Sequence, residues 1–243
     1  MKRSPYWVLA FSLLGISFAG PLVRLSQADA VTIAVWRLGF SLVIVAFFLL
    51  ATGEWRQLRT ATSRDAGFAV FAGVALALHF WAWNASIHLT TIAASVTLVS
   101  LQPAVIAATS ALVLRESPTR RQLTGIAVAI LGAFIIAVPA MAGGFSAGNN
   151  PLLGNVLAIS AALTAAMYYT IGRSLRAHLG LWSYVAIVYA AAFATLIVIA
   201  VVRGIAIAPQ PAGEIRIFVA LAVGPMLLGH TGMNWALKYL PAY

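Results

Sequence analysis

Apolar residues in this chain neither alternate nor keep to one helical face. They fill whole runs, eight of them, at about 6–23, 31–51, 66–87, 91–114, 123–139, 152–171, 181–202 and 215–237. A helix crosses the hydrocarbon core of a bilayer with about 20 residues at 1.5 Å rise each. Lipid offers backbone N–H and C=O groups no partner, and none of the runs has the period of two that a barrel strand shows, so each run is predicted to be a helix. The expected fold class is all-α, a polytopic transmembrane helix bundle of eight spans. The first run follows Lys2 and Arg3 and ends near Ser17-Phe18-Ala19, as a signal peptide would. With so many spans after it, it reads more simply as the first of them.

Composition agrees with this pattern. Of 243 residues, 62% are hydrophobic and 8% charged, against roughly a quarter charged in a soluble domain. The absence of cysteine excludes disulfides and thiolate metal sites. The net charge of +10 would suggest nucleic acid in a soluble protein; here its distribution explains it. With the N-terminus inside, the inner segments hold Lys2, Arg3, Arg56, Arg59, Arg64, Arg115, Arg120, Arg121, Arg173, Arg176 and Lys238, the outer ones only Arg24, Arg203 and Arg216. That asymmetry is the positive-inside signature of short cytoplasmic loops. The expected setting is a bacterial or archaeal cell membrane with a cytoplasmic N-terminus, the lipid bilayer as partner and no nucleic acid.

An internal repeat is legible. Trp83-Asn84-Ala85 closes the third span and Asn234-Trp235-Ala236 the eighth, which aligns Asn84 with Asn234. Val8-Leu9-Ala10 recurs as Val156-Leu157-Ala158 at a similar shift. Five spans invert the topology, so the two copies are expected to run oppositely through the membrane, as in secondary transporters. The expected organisation is a five-helix repeat over 1–139, an external Gly- and Asn-rich linker over 140–151, and a second repeat over 152–243.

Several pieces in order carry a resemblance. They are Trp36-Arg37-Leu38 in the second span, Pro103 in the fourth, and Leu114-Arg115-Glu116-Ser117-Pro118-Thr119-Arg120-Arg121-Gln122-Leu123-Thr124-Gly125 with Gly132 after it. Ala236-Leu237-Lys238-Tyr239-Leu240-Pro241-Ala242 follows the eighth span. Together these resemble the EamA-type permeases of the drug/metabolite transporter superfamily. The resemblance implies ten helices in two inverted five-helix repeats, and export or uptake of small metabolites. By that pattern the second repeat is expected to be truncated after its third helix, as in a shortened gene or a fragment.

The acids Asp29, Glu54, Asp65, Glu116 and Glu214 all fall in loops or at helix ends. No carboxylate pair lies in the membrane, no HExxH or phosphate-binding glycine loop occurs, and neither an enzyme, a metal site nor a cofactor is expected. The candidate substrate-binding residues are His79, Trp83, Ser100, Gln102, Tyr168, His230 and Asn234, with Arg37 near the outer mouth. His79 and His230 occupy similar places in the two halves and offer either a ligand contact or a hydrogen bond between helices. Arg37, the one charge inside a span, is either an anion anchor or a side chain that snorkels outward. Asn84, Gln102, Thr97 and Ser100 are read as a polar cluster that serves as helix glue or lines a wet path. Pro103 beside Gln102 is expected to break its helix and free a carbonyl. Gly125, Ala129 and Ala133 form a close-packing ridge, within the chain or between the subunits of a homodimer. The expected function is a secondary transporter, permease or exporter, of small organic metabolites such as amino acids, by alternating access around a central cavity. The alternative is a non-transporting fragment or scaffold membrane subunit.

Overall fold

The structure is a computed structural model that describes the backbone of residues 5–142 and 148–243, and the side chains of these except 137–142. Every regular element among the described residues is helical. In chain order they are α1 (Pro5–Ser17), α2 (Ala19–Leu25), α3 (Ala30–Ala51), α4 (Trp55–Thr60), α5 (Ser63–Leu89), α6 (Ile92–Val99), α7 (Gln102–Thr109), α8 (Arg120–Ala142), α9 (Pro151–Arg176), α10 (Leu181–Val202), α11 (Ala212–Leu221) and α12 (Gly232–Ala236). Wider π-helical stretches follow α7 at Ser110–Leu114 and join α11 to α12 at Ala222–Thr231.

Seven helices or continuous helix stacks among the described residues are long and apolar enough to cross a membrane. They coincide with seven of the eight expected runs. The other expected run, 123–139, lies on α8, whose side chains from 137 onward fall outside the described residues. So do Lys2, Arg3 and residues 143–147 of the linker expected over 140–151. The protein is a multi-pass membrane protein.

Small residues let the helices at the centre approach. On α5, Ala69, Gly73 and Ala77 recur every fourth residue and all are buried; on α9, Ala158, Ala162 and Ala166 do the same. In lipid there is no hydrophobic drive between helices, so close backbone contact and dispersion hold them together. α5 accordingly packs most extensively on α9 and next on α10. α10 also packs along α3, and α1 lies against the π-helical stretch Ala222–Thr231 and α12. The first run is thus an integral part of the bundle. The Gly125 ridge behaves differently. Gly125 and Ala129 are exposed, and a Cβ built on Gly125 meets nothing within 4 Å, so this part of the ridge is open among the described residues, while Ala133 at its other end lies against Thr97 of α6.

Three spans are broken. The first divides at Phe18, ahead of Pro21. The fourth divides at Ser100-Leu101, where Pro103 in the first turn of α7 cannot donate to Val99. In the eighth, Pro225 sits inside the π-helical stretch, which widens the helix just ahead of His230.

Candidate functional site

The polar residues of the interior converge where α3, α5, α9, α10 and the Ala222–Thr231 stretch meet. α5 brings His79, Phe80 and Trp83 on one face. The π-helical stretch turns His230 toward them. The two imidazole centroids stand 6.1 Å apart, and His230 meets Phe80 edge-on at 5.2 Å. His79 Nδ1 lies 2.9 Å from the Ala161 carbonyl oxygen, and its ring stacks parallel to Trp83. The Tyr169 hydroxyl lies 3.2 Å from His230 Nδ1 and donates to Met233 Sδ at 3.2 Å. Tyr189 of α10 pairs with the Thr231 hydroxyl at 2.8 Å.

Arg37 completes the cluster. It is fully buried, and its guanidinium carbon stands 4.0 Å from the centre of the Phe80 ring. None of its three guanidinium nitrogens has a hydrogen-bond partner among the described residues. It does not snorkel outward. The cation–π contact offsets part of the desolvation, but an unpaired arginine at this depth still costs about 3 kcal/mol on insertion scales.

The other candidates divide. Asn234 is fully buried and its Nδ2 donates to the Tyr168 hydroxyl; Asn84 Nδ2 donates to the Ala30 carbonyl at 3.1 Å. In both asparagines the side-chain oxygen has no partner. Trp83 Nε1 is also buried without an acceptor. The Ser100 hydroxyl only turns back on its own helix, to Val96, and Thr97 donates to Ala133 of α8. Ser100, Thr97, Gln102 and Asn84 therefore do not form one cluster. Gln102 lies instead on a cavity wall.

That cavity, about 410 Å³, is lined by Tyr6, Gln102, Pro103, Tyr169, Met233 and Leu237, among others. It lies toward the end of the bundle that carries Glu54 and Glu116. A second cavity, about 480 Å³, lies toward the opposite end and is lined by Ser26, Asp29, Trp81, Ala85, His88 and Arg203. Tyr169 is shared: it lines the first cavity, and its hydroxyl reaches His230 in the cluster. The buried cluster thus lies between two cavities at opposite ends of the protein. Tyr189 of α10, Thr231 and Phe80 also belong to it, and none of the three is among the candidates drawn from the sequence. Two tyrosines, Tyr184 and Tyr189, inside an otherwise apolar span were the available signal.

Each end is closed by a carboxylate. At one end the N-cap of α10 is Gly180, which has no side chain to cap with. Glu54 supplies the cap from another part of the chain. Its Oε2 accepts the amides of Trp182 at 2.8 Å and Ser183 at 3.1 Å, and the Ser183 hydroxyl donates to the Glu54 carbonyl at 2.8 Å. A Cβ at position 180 would meet that carboxylate, so any larger residue there would displace the Glu54 side chain from the cap. At the other end Glu214 accepts from the Ser26 hydroxyl at 2.5 Å and the Gln27 amide at 2.8 Å, in the turn that leads into α3.

The EamA-like transporter family matches residues 4–138 of the chain. A solved structure described only as the crystal structure of a protein superposes on it with a TM-score of 0.73. That match covers 98% of this chain and 79% of the other at 17% sequence identity, a likeness of fold alone. No curated protein matches the sequence.

Proposed function

This chain belongs to the EamA-like transporter family, and from that premise we propose that it is a secondary transporter of small organic metabolites such as amino acids, working by alternating access. The observation that carries this reading is the buried polar cluster around His79, His230 and Arg37, set between two cavities at opposite ends. A solute reaches the cluster from either side when one end opens, and Tyr169 and His230 lie at the boundary it must pass.

The packing supports two inverted repeats of the same helices. Take the spans that begin at Pro5, Ala30 and Ser63 as first, second and third of one half, and those that begin at Pro151, Leu181 and Ala212 as their counterparts. The third of each half packs on the first of the other, α5 on α9 and the Ala222–Thr231 stretch on α1. The second packs on the second, α3 on α10. Glu54 and Glu214 each follow the second helix of their own half; Glu54 binds two amides in the first turn of α10, and Glu214 binds the Ser26 hydroxyl and the Gln27 amide in the turn that leads into α3. The buried Asn84 and Asn234, each with an unpartnered oxygen, also correspond. Such halves rock about a midplane site. The fifth expected run, on α8, would complete the first repeat.

Counterflow in proteoliposomes that hold the purified chain tests the proposal. Saturable exchange of a labelled metabolite is expected, with His230→Ala lowering it about tenfold through loss of the Tyr169 contact while insertion persists. Exchange equal to that of empty vesicles for a broad amino-acid and metabolite panel would defeat it. The Glu54 end is taken as cytoplasmic, from the basic loops. The chain has no cysteine, so R203C is expected to react with an impermeant maleimide in intact cells, and R59C only after lysis. The opposite pattern would reverse the orientation.

A further inference from the structure

We propose that Arg37 is the counter-ion site of the transported solute, which therefore carries a single carboxylate; this rests on the transporter reading and names its substrate class. Three observations carry it. The guanidinium is entirely buried and all three of its nitrogens lack a partner. It belongs to the cluster between the two cavities, linked through Phe80 and His230 to Tyr169 on the cavity wall. And the chain has no acid left to give it. All five carboxylates are engaged at the ends of helices: Asp29 caps α3, Glu54 caps α10, Asp65 meets His178, Glu116 pairs with Arg173, and Glu214 holds Ser26 and Gln27.

A structural arginine in lipid is normally matched by an acid or by backbone carbonyls. This one has neither among the described residues, and its planar fork of donors fits a carboxylate with two parallel hydrogen bonds. The surroundings decide against a polyanion. His79, Tyr169, Tyr189 and Thr231 contribute neutral donors and acceptors, and Phe80 and Trp83 contribute apolar surface, but among the described residues no second fixed cation joins Arg37 in the cluster. A phosphate monoester or nucleotide would leave charge unmatched; a monocarboxylate leaves none. The bound carboxylate also neutralises the desolvated charge, so the loaded cluster holds no unpaired charge while the halves rock around it.

The test is binding, read apart from flux. The full chain is placed in phosphatidylcholine nanodiscs, and thermal unfolding is followed with L-leucine, L-phenylalanine, isovalerate and pyruvate, each against its amide. At least one acid is expected to raise the unfolding temperature. Its amide should be weaker by at least about tenfold, as the loss of a charge-assisted hydrogen bond implies. R37M is expected to unfold at a higher temperature than the unliganded wild type, because methionine removes the unpaired charge, and to lose the preference for acid over amide. Three outcomes would overturn the proposal: R37M less stable than wild type, which makes Arg37 a structural residue; acids and amides acting alike, or none acting; or stabilisation only when phosphatidylglycerol replaces phosphatidylcholine, which assigns the anion to lipid. Acid-selective binding without counterflow would refute the transporter reading and leave the site standing.

Discussion

Leucine in place of Gly73 is expected to eliminate folded protein from the membrane. Gly73 sits where α5 presses against the backbone of α10. A Cβ there would lie 2.5 Å from the Val188 carbonyl oxygen and 2.6 Å from the Ala191 Cβ. Neither atom belongs to the far end of a flexible side chain, so the helices themselves must separate. Overpacking a soluble core costs about 1–3 kcal/mol. Here separation also undoes the small-residue contact of the central helix with α10, beside its contact with α9, and no hydrophobic drive restores it in lipid. Fluorescence-detected size exclusion should show the monodisperse peak of G73L reduced more than about tenfold, well beyond the single-site range that a relaxed core absorbs. G125A is the control. It meets nothing within 4 Å and gains about 1 kcal/mol of helix propensity, so its peak should match or exceed wild type. A normal peak for G73L would mean that α5 and α10 are not in contact as described.

How far the sequence could lead is visible in these same glycines. The spans were legible because an apolar run of bilayer length leaves few alternatives. Which small residues make the closest contacts was not. Gly125, Ala129 and Ala133 and the buried Ala69, Gly73 and Ala77 carry the same four-residue spacing, and only the positions of α9 and α10 distinguish them. The site shows a similar division. His79 and His230 hold similar places in the third and eighth expected runs, one residue out of step, and the fold brings their rings together. Arg37 lies only seven residues into α3, which by itself suggests a mouth; Phe80 and the surrounding helices bury it completely. Ser100 fell into the site because a hydroxyl in a span looks unsatisfied, whereas a turn of helix satisfies it locally. Tyr189 and Thr231 were passed over because each is unremarkable alone, and their pairing spans 42 residues.

The carboxylates were the least legible feature and now carry the sharpest functional expectation. Glu54 and Glu214 read as ordinary loop acids, since their partners lie more than a hundred residues away in sequence. In space each holds the two halves together, one at each end. On the alternating-access reading they are reciprocal latches, so removing one must favour opening at its own end. The effect is bounded by what is lost. Each latch has two hydrogen bonds to a charged group, worth about 1.5 kcal/mol apiece when buried, and partial exposure reduces the pair to roughly 1.4 kcal/mol, or about tenfold in population. Two reporter cysteines read it in the otherwise cysteine-free chain: M233C on the wall of the cavity toward Glu54 and A85C on the wall of the cavity toward Glu214. Glu54→Ala is expected to speed maleimide labelling of M233C about tenfold and to slow that of A85C. Glu214→Ala should do the reverse. Opposite signs are the decisive part, because a merely loosened fold would expose both reporters in both variants. Parallel changes would identify the two carboxylates as static braces and remove the support they lend to a rocking mechanism.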